Sequence, residues 1–80
     1  MQVAVTGLLR TAVNGAASIN IEADTIRELL RKLVERYPKF EPLLEAGVAV
    51  AINGEIFRDN WSEPIPAGAE VVLMPRIQGG

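Results

Sequence analysis

The chain has 80 residues, 49% hydrophobic and 22% charged, with a formal net charge of −2 and neither cysteine nor histidine. Such a length fits one domain around one small core, and the missing residue types exclude disulfides, thiol nucleophiles, thiolate metal sites and imidazole bases, so a stand-alone enzyme is not expected. Scattered basic residues in an acidic chain argue against nucleic acid, and without a signal-peptide pattern or a run near 20 apolar residues a cytoplasmic protein with no membrane attachment is expected.

Val3 and Val5, extended by Leu8 and Leu9, read as a first strand. Asn14-Gly15 is a turn signal. Ile19 and Ile21 then alternate with polar neighbours as a half-buried strand, so a hairpin closed by a short glycine-containing loop is expected.

The helix that follows carries the clearest pattern. Thr25 with Glu28 forms a capping box, with Asp24 as an alternative cap. Ile26, Leu29, Leu30, Leu33, Val34 and Tyr37 repeat at the spacing of one helical face. Glu28 with Lys32, and Arg31 with Glu35, are i,i+4 partners on the solvated face. Pro38 ends the element.

Phe40 to Ala46 fits a short second helix stopped by Gly47. Val48-Ala49-Val50-Ala51-Ile52 is a continuous apolar run, read as a strand covered on both faces or at least central in its sheet. Asn53-Gly54 returns the chain through Glu55-Ile56-Phe57. Arg58 to Pro66 is loop, with Trp61 folded onto the edge of the core, and Pro66-Ala67-Gly68 is a turn. Val71 to Met74 is a last strand that Pro75 closes, because proline has no N–H for the ladder. One long helix on a small mixed sheet of four to five strands is an α+β domain over residues 1–75. Residues 76–80 form a flexible tail that spans at most about 17 Å. Glycine lacks a Cβ, so Gly79 and Gly80 let another protein close around the chain end, and a carboxylate there is open to activation.

The segments "TIRELLRKLVERYP", "VAVAINGEIFRDNW", "IPAGAEVVLMP" and "GG", in this order, resemble the ubiquitin-like β-grasp sulfur carriers. That family includes MoaD, the small subunit of molybdopterin synthase, and ThiS of thiazole synthesis. The resemblance implies a β-grasp fold and a carrier cycle. An E1-like adenylating enzyme of the MoeB/ThiF type would activate the carboxylate of Gly80 with its own ATP and magnesium, the carrier itself binding no cofactor and no metal. A sulfur donor protein would then convert the adenylate to a thiocarboxylate.

The length and the helix ending "ERYP" favour the MoaD type, which implies the MoaE-type large subunit of molybdopterin synthase as the receiving partner. "RDNWSE" is reminiscent of the ThiS type, with thiazole synthase in that place. Carriers for cysteine, siderophore or tRNA thiolation, a ubiquitin-like modifier of lysines, and a plain β-grasp interaction module are the alternatives. By motif match Gly80 is the reactive residue and Gly79 the slim residue behind it. The same match implies that Gln78, Ile77 and Arg76 would thread the partner and that Met74 and Pro75 would dock it. The family's tails are apolar before Gly-Gly, whereas Arg76 and Gln78 here are polar, which bears on partner identity.

Overall fold

The computed structural model of the chain describes residues 1–76. Five strands form one mixed sheet: β1 (Gln2–Val5), β2 (Ser18–Asn20), β3 (Val48–Ile52), β4 (Glu55–Phe57) and β5 (Val71–Pro75), in the spatial order β2-β1-β5-β3-β4. β1 and β5 run parallel, and the other three pairings are antiparallel. Helix α1 (Ile26–Arg36) and the shorter α2 (Phe40–Ala46) connect β2 to β3. This is the mixed sheet on one long helix that the sequence predicts. Among the described residues no helix is long and apolar enough to cross a membrane.

One cluster forms the core. Val3, Val5, Ile19, Val48, Val50, Ile52, Val71 and Leu73 from one face of the sheet meet Ile26, Leu29, Leu30 and Leu33 of α1. Phe40, at the start of α2, is the largest fully buried side chain. Its helix tolerates Pro42 because a first-turn position has no intrahelical N–H bond to lose. Gly47, at φ 124°, stops it as expected, its N–H donating to the carbonyls of Leu43 and Leu44.

The cap of α1 is more extended than the capping-box pattern alone. The amide of Glu28 donates to Thr25 Oγ1 at 3.2 Å, while Glu28 Oε1 accepts the amide of Asp24 at 2.9 Å. Two further amides of the first turn are satisfied from far along the chain: Ile26 N–H by Glu63 O at 3.1 Å and Arg27 N–H by Trp61 O at 2.8 Å. The loop after β4 therefore closes the helix end, and it leaves the side chains of Trp61 and Ile65 against the core. Both expected ion pairs form, Arg31 to Glu35 at 2.9 Å and Lys32 to Glu28 at 3.7 Å.

The first strand is shorter than the sequence reading. It ends at Val5, and Leu8 and Leu9 belong to a 3-10 helix over Gly7–Val13. Gly7 takes φ +58°, which breaks the extended backbone, and Leu9, Ala12 and Val13 then face the core at helical spacing. β1 and β2 do pair antiparallel, but through the segment Thr6 to Ala17 rather than a tight loop. The turns at Asn14-Gly15, Asn53-Gly54 and Gly68 all use positive φ, the backbone that glycine and asparagine tolerate best.

Candidate functional site

β5 is the middle strand of the sheet, so the chain leaves the fold from the centre of one edge. Thr6 holds the β1 side of this exit, with its N–H and Oγ1 both donating to Leu73 O at 3.1 and 2.9 Å. On the β3 side the ladder reaches Val48 opposite Pro75, and one step further the amide of Arg76 donates to Gly47 O at 3.0 Å. Pro75 and Arg76 are exposed. Ile77, Gln78, Gly79 and Gly80, the threading and reactive residues of the sequence reading, lie outside the described residues.

Met74 is half-buried on the face of the sheet opposite α1, outside the core cluster. The strand register shows what surrounds it. Ser18 pairs with Ala4, Ala4 with Val72, Val72 with Ala51, and Ala51 with Ile56. These five residues make one row across all five strands, on the face that α1 does not cover. Met74 and Ala49 begin a second row beside it. Alternation puts Val72 and Met74 on this face because Val71 and Leu73 face the core. None of these seven side chains is charged.

The alanines Ala49 and Ala51 are buried although they lie outside the core cluster. Their side chains are short enough to sink between Val72, Met74 and Ile56. The result is a low apolar surface whose highest point is Ile56, 51% exposed. Leu8, 63% exposed on the 3-10 helix, is the other large apolar side chain left in solvent among the described residues. An apolar centre with a polar rim is the anatomy of a protein–protein interface, and here it adjoins the exit of the chain.

A hollow of about 690 Å³ lies at the other end of the sheet, where Met1, Asp24, Gly68 and Val71 line it. The candidate site at the Pro75 end is accordingly an open sheet face beside a strand end, away from that hollow. Glu28 has its carboxyl held below the ordinary value. The hydrogen bond from Asp24 is the main cause, opposed by partial burial and aided by Lys32 and Arg31. That group caps α1 and belongs to the helix layer.

The sequence pointed to Met74 and Pro75 but not to Ala4, Ala49, Ala51, Ile56 or Val72. A signal was present. Val71-Val72-Leu73-Met74 is apolar on both faces of a strand, and only one of them packs under the helix. The alternation of valine and alanine in β3 is the same message, because the small residues mark the face with nothing above it.

The ThiS family model matches residues 3–80. Among solved structures, a chain of the complex of subunits 1 and 2 of the molybdopterin-converting factor from Helicobacter pylori is 24% identical with a TM-score of 0.67. The likeness covers 99% of this chain and 96% of that one. A chain of the Amycolatopsis orientalis BexX/CysO complex is 21% identical with a TM-score of 0.77, covering 99% and 98%. Small archaeal modifier protein 1 from Methanosarcina acetivorans is 17% identical with a TM-score of 0.77, covering 99% and 94%. At these identities the likeness is one of fold, the ubiquitin-like β-grasp. No curated protein sequence matches the chain.

Proposed function

From the premise that the chain belongs to the ThiS family, we propose that it is a sulfur carrier whose reactive group is the carboxylate of Gly80. A partner of the E1-like type brings ATP and magnesium. A carboxylate oxygen of Gly80 attacks the α-phosphorus and pyrophosphate leaves, which turns a poor electrophile into an acyl adenylate. Sulfide-level sulfur from a donor protein then attacks the acyl carbon, the C–O bond to AMP breaks, and a thiocarboxylate is left. In this reading the chain is a cytoplasmic co-substrate of its partners and catalyses nothing itself. Gly79, Gln78, Ile77 and Arg76 thread the partner's channel, and the row through Val72 and Ile56, with Met74 and Pro75, docks it.

The observation that carries this reading is the family match running through Gly80, supported by a middle strand that ends at Pro75 beside an uncovered apolar face. For the acceptor we propose molybdopterin, with this chain as the small subunit beside a MoaE-type large subunit. The length of the body and the likeness to the molybdopterin-converting factor chain support that branch. The likeness to an archaeal modifier protein gives one second reading, conjugation to lysines through the same adenylate.

Intact mass separates these. After incubation with an adenylating partner, ATP and a sulfur donor, the chain gains about 16 Da, one oxygen exchanged for sulfur in the covalent cycle. The product then yields sulfide to a molybdopterin synthase large subunit. No gain with any adenylating partner refutes the carrier. Transfer to thiazole synthase alone reassigns the acceptor, and lysine adducts in extract move the assignment to a modifier.

A further inference from the structure

β5 ends between two glycines of different character. On the β3 side Gly47 offers its carbonyl to Arg76. On the β1 side the ladder stops at Thr6, and the chain turns away through Gly7 at φ +58°. Residues two apart on a strand face the same neighbour, so the backbone of Pro75 faces the side that Leu73 does, where β1 has already departed. Proline loses no donor there. Its ring fills the vacated space and lies over the bare Cα of Gly7. A Cβ at Gly7 would meet Pro75 Cγ at 3.1 Å and Cδ at 3.4 Å.

We propose that Gly7 is a positioning residue for the C-terminal segment. Its missing side chain seats the Pro75 ring and, with the Gly47–Arg76 hydrogen bond, sets the direction in which the chain leaves the sheet. The consequence for adenylation rests on the carrier reading, whereas the seat itself rests on Gly7 and Pro75 alone. Relieving a contact of 3.1 Å takes a shift of roughly 0.3 Å, which over one Cα–Cα step of about 3.8 Å is a tilt near 5°. Misplacement of about 1 Å at a reacting atom costs up to roughly a hundredfold in rate, and the smaller shift from this tilt at Arg76, partly corrected by the partner's grip, costs about tenfold.

The molecule supplies its own control. Gly68 has a similar backbone, φ +77°, and a Cβ there meets nothing within 4 Å. Gly7→Ala and Gly68→Ala therefore share the backbone strain, and only the first pushes Pro75. Amide exchange at Arg76 and single-turnover adenylation by the activating partner are measured on both, and the exchange alone on the double variant Gly7→Ala/Pro75→Ala. In Gly7→Ala the Arg76 amide exchanges about tenfold faster than in Gly68→Ala, as local opening at the strand end increases. Adenylation at saturating carrier slows by a similar factor, with KM for the carrier within about twofold. The double variant recovers the Arg76 exchange rate, because the alanine that replaces Pro75 has neither Cγ nor Cδ; its adenylation is not the readout, since Pro75 also belongs to the docking face. Equal Arg76 exchange in the two single variants, or no recovery of that exchange rate in the double variant, overturns the seat. A wild-type chain that no partner adenylates refutes the carrier reading, and the exchange measurements then decide the seat by themselves.

Discussion

Replacing Ile56 by alanine tests whether the open face docks the partners. Ile56 is 51% exposed and sits at the end of the apolar row on strand β4. Burying an isoleucine side chain completely is worth about 1.5–3 kcal/mol, and half of it is still in solvent, so a partner that covers it gains about 1 kcal/mol. Truncation then weakens binding about fivefold. Ile56→Asp goes further, because an unpaired carboxylate would be carried into the interface. Calorimetric titration with the adenylating partner measures both. Glu55→Ala is the control, since Glu55 pairs with Ile52 on the other side of the strand and leaves affinity unchanged. The folding midpoint moves little in all three, as surface substitutions are usually worth within about 0.5 kcal/mol. Affinities within about twofold of wild type for both Ile56 variants, with folding intact, refute the assignment of this face.

Two further predictions concern the body. Phe40→Ala removes the largest fully buried side chain at a cost of about 3–5 kcal/mol. For a domain whose total stability is of order 5–15 kcal/mol, the thermal midpoint drops by more than about 10 °C, and an unchanged midpoint in a calorimetric scan contradicts the packing. Glu28 has its pKa lowered from the ordinary 4.5 by the Asp24 hydrogen bond first and the nearby cations after it. Protonation therefore favours the unfolded chain. Its contribution is complete above the unfolded pKa and fades as pH falls through the lowered folded value. Glu28→Gln flattens the stability-versus-pH slope below about pH 4.5 in denaturant titrations, and a slope identical to wild type contradicts the cap.

Elements written in local residues were legible. Helix α1 was, because its stripe and its Thr25–Glu28 cap need only neighbouring positions. So were the turns at Asn53-Gly54 and Pro66 to Gly68, whose positive φ selects particular residues. The 3-10 helix was hidden because Leu8 and Leu9 continue the apolar reading of β1, and only Gly7 marks the break. The loop after β4 gave no sign that Trp61 O and Glu63 O would cap α1, since that contact joins residues more than thirty positions apart. The candidate site divides in the same way. Met74 and Pro75 were named from the resemblance, which reaches the end of the last strand. The row from Ser18 to Ile56 was not, because its five members become neighbours only when the strand order and register are fixed.

Val71 and Leu73 of strand β5 lie in the core and Val72 and Met74 on the open face, so under the carrier reading alternate positions of one strand serve folding and docking separately. A slip of one residue would exchange those roles and draw the exit back by about 3.3 Å. Pairing on both sides guards against it: β1 fixes Leu73 opposite Val5, and β3 fixes the strand at every position from Val71 to Pro75. The segment that follows is continuous with this strand. A partner that seats Val72 and Met74 therefore also fixes Pro75 and Arg76 in its own frame, and a rigid strand converts docking of the face into aiming of the end. Under the carrier reading this is why the reactive group needs no pocket of its own.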